Sequence, residues 1–546
     1  MKFRHTNRIW IAALIVAWIF NLMFWQTEPG VSMTIAVVLT IATGLLLAFS
    51  EGRQPARTSY ILIALILFFA IMLSVRYQGG TIATNMLLSL GGLAILAVTL
   101  LGGKWIQYSL ADYVVRFFVL GFGALINGLR VLVDKKSDSE GQDEQPQESA
   151  PAPSAWRTRG LPILRGVLLA VPVIALLAAL LASADPIFSA GLESVLDVFR
   201  LENLDEIIIR GVNILIIGYL LAGVYMHALA NSQEEKLVGQ EKPWLSPFLG
   251  MVEAVVILGA VNLLFATFVG VQFRYFFGGQ ANISLEGFTY AEYARRGFGE
   301  LVSVAVISLL LFLGLSSITR RATGAHRRIF GGLGIALVAL VLVMLVSAYQ
   351  RLVLYETAYG FSELRTYTHV FMIWLGLLLL ATIVLEIIQR QRAFALMAVI
   401  AAVGFGVSLN LINVDAFIVR QNVALAERGV VLEESEERTN ASRYPLDMQY
   451  LTNLSTDAVP ELVAAFQRPD ISSHSKERLG AVLACKAAAY DTLEYRPKWV
   501  SYHLSQARAV QSLQRVSGQL PKLKADTGGM VEVQDESFFC FPLMEE

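Results

Sequence analysis

Residues 329–349 read IFGGLGIALVALVLVMLVSAY, a run of 21 residues that contains no charged side chain. An α-helix of about 20 apolar residues crosses the roughly 30 Å of hydrocarbon in a bilayer while it satisfies its backbone hydrogen bonds internally. The run therefore predicts a transmembrane helix. Arg327 and Arg328 stand directly before it, as is typical of a cytoplasmic helix end.

The composition of the whole chain agrees with a membrane protein. Of its 546 residues, 55% are hydrophobic and only 16% are charged, and the mean hydropathy is +0.57, which is the profile of the membrane class. The formal net charge is −1, and Lys and Arg fall mainly in short loops. Because nucleic-acid binding needs a basic patch, we expect the lipid bilayer and no nucleic acid as a partner.

We predict an all-α, polytopic membrane protein with about eleven spanning helices and a soluble helical tail at the C-terminus. The first apolar run is read as a span that stays, because it ends in NLMFWQ (residues 21–26) without the small residues of a signal-peptide cleavage site. The predicted spans are residues 9–25, 31–50, 59–75, 82–101, 161–183, 206–229, 246–271, 298–318, 329–349, 367–388 and 393–412.

Basic residues predict the orientation and the regions of the chain. With eleven spans, the loops that contain Arg53, Arg320 and Arg390 fall on one side, which the positive-inside rule assigns to the cytoplasm together with the N-terminus. A twelfth span would move the basic loop at Arg320 to the outer side of the membrane, against this rule. The predicted regions are a four-span region (1–111), an interfacial or re-entrant helix (112–133), a polar, disordered cytoplasmic linker (134–160), a seven-span core (161–412) and an extracytoplasmic helical tail (413–546).

The tail has the spacing of amphipathic helices. Leu, Val, Ala and Phe recur at helical intervals over residues 415–429, 456–467, 472–495 and 499–520, and such helices bury their apolar stripes by packing together. The two cysteines of the chain, Cys485 and Cys540, both lie in this tail. A disulfide between them is one expectation for an oxidising compartment, and free, buried thiols are the alternative.

Four polar residues fall inside predicted spans: Arg210, Asn213, Glu253 and Asn262. Charged side chains at membrane depth are costly unless they are paired or face water, so they are candidate functional residues. Interhelical hydrogen bonding is one interpretation and an ion or proton relay is the other. Glu253 is expected about two turns inside its helix.

Charged and aromatic residues are concentrated in the predicted outer loops. Residues 273–279 read FRYFFGG, residues 289–300 read TYAEYARRGFGE and residues 355–365 read YETAYGFSELR. We predict a polar roof over the seven-span core that binds a ligand, a lipid headgroup or the tail; simple anchoring of Tyr and Arg at the interface is the alternative. The candidate roof residues are Asp185, Arg274, Tyr290, Glu292, Tyr293, Arg295, Arg296, Glu300, Glu356, Glu363 and Arg365.

Enzyme motifs are missing from the sequence. The six histidines (5, 227, 326, 369, 474 and 503) have no metal-ligand spacing, and the chain contains no Walker loop, dinucleotide fingerprint or Gly-x-Ser-x-Gly elbow. We predict no metal and no cofactor, and the sequence identifies no catalytic residue.

These loop sequences resemble a family of bacterial multi-pass membrane proteins that is catalogued as a domain of unknown function. The resemblance rests on the three stretches quoted above and on SADP (183–186), NVDA (413–416) and DAVP (457–460), and runs from about residue 160 to residue 470. It implies a bacterial cytoplasmic (inner) membrane and brings no substrate, cofactor or catalytic residue.

Three functional hypotheses follow. The first is a non-enzymatic envelope protein whose outward tail, residues 413–546, senses a ligand or binds an envelope protein. The second is a transporter or ion-coupled carrier that uses intramembrane Glu253. The third, ranked last, is a lipid or cell-wall modifying enzyme with Glu292, Glu356 or Asp185 as acid or base.

Overall fold

The structure is a computed structural model that describes residues 6–140, 204–232, 237, 247–276, 298–429, 446–492, 498–524, 529–534 and 536–540. The predicted span 161–183, the remainder of the linker from residue 141 and Asp185 lie outside these residues. So does the loop 277–297 that contains Tyr290 to Arg296.

Ten helices of the described residues are long and apolar enough to cross a membrane. They correspond one to one with the ten predicted spans that the structure describes, and the polytopic fold is confirmed. The helices are α1 (Thr6–Phe24), α2 (Val31–Ser50), α3 (Arg57–Val75), α4 (Gly79–Thr99), α6 (Leu204–Ala230), α7 (Met251–Phe276), α8 (Phe298–Ile318), α9 (Gly324–Tyr359), α10 (Glu363–Ile387) and α11 (Phe394–Ile412).

The surfaces of these helices are those of a protein in lipid. Fewer than half of the residues in each apolar window are buried, and large side chains such as Leu46, Leu87 and Val252 are 69%, 72% and 74% exposed. A continuous apolar surface of this kind is unfavourable in water and favourable against acyl chains. The chain is a multi-pass membrane protein.

Helix α5 (Leu110–Glu140) occupies the segment predicted as interfacial or re-entrant, and it is not among the ten membrane-crossing helices. Its start is a reciprocal cap, in which Ser109 N–H donates to Asp112 Oδ2 at 2.8 Å and Asp112 N–H donates to Ser109 Oγ at 3.3 Å. The helix continues to Glu140, so residues 134–140, which we assigned to the disordered linker, are helical.

The tail is a helical bundle with one small hairpin. Its elements are α12 (Val414–Glu427), α13 (Met448–Asn453), α14 (Val459–Phe466), α15 (Ser473–Thr492), α16 (Leu504–Val516), β1 (Met530–Val533) and β2 (Glu536–Phe539), with 3-10 turns at Thr456–Ala458, Trp499–Ser501 and Ser517–Gln519. The antiparallel hairpin, in which Val531 pairs with Phe538, was not predicted. The predicted helix 499–520 is divided, because residues 501–503 pair with the start of α2 instead.

Contacts divide the chain into two compact units: residues 1–6, 23–123 and 224–546 form one, and residues 7–22 and 124–223 form the other. In the smaller unit, Arg210 Nε donates to Asn21 Oδ1 at 3.0 Å, and the rings of Trp10 and Tyr219 lie 5.9 Å apart. In the larger unit, the tail core is continuous with the membrane helices, because Val370 of α10 and Leu409 of α11 belong to the same buried cluster as Leu462 and Leu479.

Candidate functional site

Three of the predicted roof residues lie at the turn between α9 and α10. Arg365 donates to the carbonyl oxygen of Tyr359 at 3.1 Å and to that of Gly360, and its guanidinium stands 4.1 Å from the centroid of the Tyr355 ring. These contacts close the turn at Gly360, whose φ of 76° favours glycine. Glu356 and Glu363 flank the turn. Of the other roof residues, Arg274 is in the last turn of α7, and Glu300 is exposed in the first turn of α8.

Glu356 makes a buried contact between two membrane helices. Its Oε1 lies 3.0 Å from Nδ1 of His369 on α10, and only 2% of Glu356 is exposed. The ring of Tyr349 packs edge-on against His369 with centroids 4.6 Å apart. His369 Nε2 has no hydrogen-bond partner among the described residues.

The predicted intramembrane residues are in different environments. Arg210 pairs with Glu206 at 3.3 Å within α6 and bonds Asn21, whereas Asn213 is half-buried on the same helix. Asn262 donates to the carbonyls of Leu258 and Leu333 at 2.8 and 3.0 Å and so ties α7 to α9. Arg210 and Asn262 thus form hydrogen bonds between helices, which is the first of the two interpretations given for intramembrane polar residues.

The expected depth of Glu253 was wrong. Helix α7 begins at Met251, so Glu253 lies in its first turn and is exposed. The physical reason is that Leu249 forms a β-bridge with Thr319: its N–H donates to the Ile318 carbonyl at 3.1 Å, and its carbonyl accepts from Arg320 N–H at 2.9 Å. These bonds keep residues 247–250 out of the helix.

A buried polar cluster joins the tail to the membrane helices. We call Arg76, Gln78, Glu363, Asp415 and Asp457 the junction cluster. Asp457 Oδ2 accepts from the backbone N–H groups of Tyr77 and Gln78 at 2.7 and 3.0 Å, and its Oδ1 lies 3.6 Å from the Arg76 guanidinium. One tail carboxylate thereby supplies the hydrogen-bond acceptor for two backbone N–H groups in the turn between α3 and α4.

Gln78 extends the cluster to α10. Its Oε1 accepts from Thr81 N–H at 2.7 Å and from the Tyr367 hydroxyl, and its Nε2 donates to Glu363 Oε2 at 2.8 Å. The N–H of Glu363 in turn donates to the hydroxyl of Tyr450 in the tail at 2.9 Å. Glu363 is therefore a predicted roof residue that the structure brings into contact with the tail.

Asp415 is the most buried member of the junction cluster, with no exposed surface. Its Oδ2 accepts from Ser455 N–H at 2.8 Å, while Oδ1 has no partner among the described residues. Burial raises the pKa of Asp415 to about 7; hydrogen bonding from Ser455 opposes this rise, and the carboxylates of Glu363 and Asp457 add to it. The cluster therefore contains a carboxyl group that exchanges its proton near neutral pH.

Lys486 lies near this carboxyl group and donates to the carbonyls of Thr452 and Leu454 at 2.9 and 2.7 Å. Burial of its ammonium lowers the pKa of Lys486 to about 8, against the opposing effect of Asp415. Below these pKa values Asp415 is neutral and Lys486 is positively charged. Above them Asp415 is negatively charged and Lys486 is neutral.

Beneath the cluster, Asn85 and Asn410 form a reciprocal amide pair between α4 and α11. Each Nδ2 donates to the other's Oδ1, at 3.0 and 2.6 Å, and both residues are buried. Arg76 donates to the carbonyl of Asn410, so the pair and the junction cluster are connected.

A second seam fixes the tail to the start of α2. Val31 N–H donates to the Tyr502 carbonyl at 3.0 Å, Ser501 Oγ donates to the Glu28 carbonyl at 2.7 Å, and a Cβ atom at Gly30 would lie 2.6 Å from the Ser501 carbonyl carbon. The backbones approach so closely that only glycine fits at position 30.

Cys485 and Cys540 are joined in the structure by an S–S bond of 2.00 Å with Cα atoms 5.8 Å apart. The bond holds strand β2 on α15 in the tail. Among the described residues, no group of three or more His, Cys, Asp or Glu side chains is arranged to hold a metal ion.

Sequence reasoning missed the junction cluster apart from Glu363. Asp415 and Asp457 lie in the NVDA and DAVP stretches that carry the family resemblance, and this was the available signal. Arg76 and Gln78 had no signal beyond their place directly after a span, because their partners are far away in the chain.

The fold and the junction define a multi-pass α-helical membrane protein whose C-terminal bundle is docked on the ends of its membrane helices. The chain belongs to the family described as "Domain of unknown function (DUF4153)", which matches residues 11–465. The match includes the N-terminal spans, which the resemblance had not covered. No curated protein and no solved structure matches the chain.

Proposed function

We propose that this protein is a non-enzymatic envelope protein, in which the outward tail senses a ligand or binds a partner protein and the membrane helices anchor it. The junction cluster carries the proposal. Because Asp457, Gln78 and Glu363 link the tail to α3, α4 and α10 through buried hydrogen bonds, an event that displaces the tail also breaks contacts of the membrane helices. A passive tether would need no such buried contacts.

The arrangement of charge supports an outward tail. The tail contacts the α1–α2, α3–α4 and α9–α10 turns. Arg53, Arg320 and Arg390 lie in loops at the opposite ends of the helices. By the positive-inside rule we infer that those loops are cytoplasmic and that the tail lies on the other side of a bacterial cytoplasmic membrane.

The first experiment is photo-crosslinking in living cells. A photoreactive amino acid replaces Arg468, which is exposed on the tail, and the matched control carries it at Leu87, which is exposed on α4. We expect a defined protein adduct from position 468, and lipid adducts only from position 87. The same cells lacking residues 413–546 should lose that partner from the purified complex.

Two outcomes would contradict the proposal. One is the same set of adducts from both positions. The other is a tail deletion that changes neither the co-purified proteins nor the envelope phenotype of the cells.

A proton-coupled carrier is the second candidate, and the buried Glu356–His369 pair favours it. A carboxylate and an imidazole 3.0 Å apart between two membrane helices are suited to passing a proton. Glu253, which the sequence suggested for this role, is exposed in a first turn. The measurement is pH-dependent solute flux in proteoliposomes. If His369→Gln abolished this flux while Glu253→Gln did not, the carrier hypothesis would replace that of a non-enzymatic envelope protein.

A further inference from the structure

Two aromatic side chains of the tail are exposed beside the start of α2. Trp499 is 68% exposed and Tyr502 is 45% exposed, whereas Val500 and Ser501 between them are buried. They belong to the 3-10 turn at Trp499–Ser501, which Tyr502 N–H closes by donating to the Trp499 carbonyl at 3.3 Å. Because side chains at positions i and i+3 of such a turn lie above one another, the two aromatic residues share one outward side.

Hydrogen bonds hold this turn on the connection between α1 and α2. The Tyr502 carbonyl accepts from Val31 N–H at 3.0 Å, and His503 Nε2 donates to the Pro29 carbonyl at 2.7 Å. These bonds are made by Tyr502 itself and by the residue that follows it. The backbone therefore fixes the position of the exposed side chains relative to the membrane helices.

The ends of the membrane helices give the depth of the turn. Helix α2 has 20 residues, so at 1.5 Å per residue it spans about 30 Å, the thickness of the hydrocarbon layer. Val31, its first residue, stands at the edge of that layer together with Tyr502. The ring of His503 packs against that of Tyr77 with centroids 5.0 Å apart, and Tyr77 lies in the turn between α3 and α4. Two separate helix ends thus give Trp499 and Tyr502 the depth of the lipid headgroups.

Trp and Tyr are the side chains that favour this depth. Each combines an apolar ring with one polar N–H or O–H group, so the ring lies against the upper acyl chains while the polar group bonds to headgroups or water. Single exposed apolar residues are common on any protein surface, but these two share one side at the membrane surface. Other aromatic side chains of the described tail, such as Phe466 and Phe538, are buried.

We propose that Trp499 and Tyr502 form a membrane-surface anchor, through which the tail binds the phospholipid headgroup layer of the leaflet on its own side. This anchor is independent of the function proposed above and of which side of the membrane the tail occupies, because its depth follows from the helix ends alone. It adds a lipid contact to the protein contacts that the tail makes at the junction cluster and at the start of α2.

The test is depth-dependent fluorescence quenching of the full-length protein in nanodiscs of phosphatidylethanolamine and phosphatidylglycerol. A fluorescent amino acid replaces Trp499, and a spin-labelled lipid carries the quencher either on its headgroup or near the end of its acyl chain. We expect the headgroup quencher to remove most of the emission from position 499 and the chain-end quencher to remove much less.

Two other positions for the same probe calibrate the result. Asp470 belongs to an exposed ion pair with Arg468 on the tail, and a probe there should be quenched by neither lipid. Leu87 is exposed near the middle of α4, and a probe there should be quenched more by the chain-end label than by the headgroup label. Quenching at position 499 that is no greater than at position 470 would overturn the proposal.

Hydrogen exchange measures the contribution of the two side chains. Because both are exposed, the double variant Trp499→Ser, Tyr502→Ser should fold. In the wild type, amide exchange at residues 499–503 should be slower in nanodiscs than in a lipid-free amphiphilic polymer, and the double variant should lose that difference. The control Arg468→Ser, Asp470→Ser, which removes an exposed ion pair, should keep it. Equal exchange of the wild type with and without lipid would also overturn the proposal.

Discussion

Asp457 in the tail accepts a hydrogen bond of 2.7 Å from the backbone N–H of Tyr77, although the two residues lie 380 positions apart in the sequence. The same carboxylate oxygen accepts from Gln78 N–H. The turn between α3 and α4 thus obtains from the tail the acceptor that its own residues do not supply. The docked tail and the membrane helices depend on each other for polar satisfaction.

Asp457→Ala should loosen the tail, because it leaves two N–H groups unpaired, that of buried Gln78 and that of half-buried Tyr77. Each costs about 1–3 kcal/mol, so the loss in stability should be at least 2 kcal/mol, on the order expected for a buried charged acceptor. Hydrogen exchange should show faster exchange at residues 77 and 78 and across α14. Asp470→Ala, which removes an exposed carboxylate paired with Arg468, is the matched control. Equal protection in both variants would contradict the role given to Asp457.

Asp415 predicts a pH dependence of tail docking. Its pKa is raised to about 7 in the folded protein, so the stabilising contribution is complete below the unfolded-state pKa near 4 and is lost as pH rises to about 7. The difference is on the order of 4 kcal/mol. Asp415→Asn should remove this slope and stabilise the tail at pH 8, as measured by thermal unfolding between pH 5 and 8. A wild-type curve without this slope would refute the prediction, and Asp470→Asn should keep the slope.

The two cysteines should be oxidised in cells. After acid quenching and denaturation in SDS, maleimide-polyethylene glycol should add to neither thiol, and to both after reduction. The bond closes a loop of 55 residues, for which the chain-entropy estimate is about 4 kcal/mol of stability. Cys540→Ser and Cys485→Ser should therefore lower the melting temperature equally. Two thiols that react before reduction would contradict the disulfide and favour free, buried thiols.

Orientation has its own test in a background with both cysteines replaced by serine. Asp470→Cys on the tail should react with a membrane-impermeant maleimide in intact cells. Arg328→Cys, exposed in the first turns of α9 at the opposite helix end, should react only after permeabilisation. The reverse pattern would mean that the tail is cytoplasmic and that the orientation inferred from the basic loops is wrong.

The Asn85–Asn410 pair should show strong coupling. Replacing one asparagine by leucine leaves the other amide buried without its partner, whereas replacing both removes the need for one. We expect each single variant to cost about 1 kcal/mol and the double variant to cost less than their sum by about 0.6–1.7 kcal/mol. Unfolding of the full chain in mixed micelles measures all four corners of the cycle, and additive losses would show that the pair is not coupled.

The sequence predicted the membrane helices well because hydrocarbon permits few alternatives. The run at residues 329–349 lies within α9, and no charged residue within it allowed another reading. Glu253 was misplaced by tertiary pairing, since the bridge between Leu249 and Thr319 delays the start of α7. No local sequence pattern predicts such a bridge.

The tail and the junction cluster were less predictable, because their structure depends on contacts between residues that are distant in the sequence. Trp499 to Ser501 form a separate turn because the following backbone pairs with the start of α2, a contact across more than 400 residues. The hairpin at Val531 and Phe538 has strands of four residues, too short for a clear alternating pattern. Asp415 follows the last span and Asp457 lies at the start of a predicted tail helix; polar residues are common at both places, and the burial of these two depends on the fold.

The close approach of Gly30 to Ser501 has a consequence for biogenesis. The tail is synthesised after the membrane helices, and its contacts require that α2, the α3–α4 hairpin and the α9–α10 hairpin already lie side by side in the bilayer. Docking of the tail therefore depends on correct insertion of the membrane helices. A chain in which an early hairpin is inverted or displaced lacks the surface to which the tail binds. Such a chain would leave the apolar face of α12 exposed.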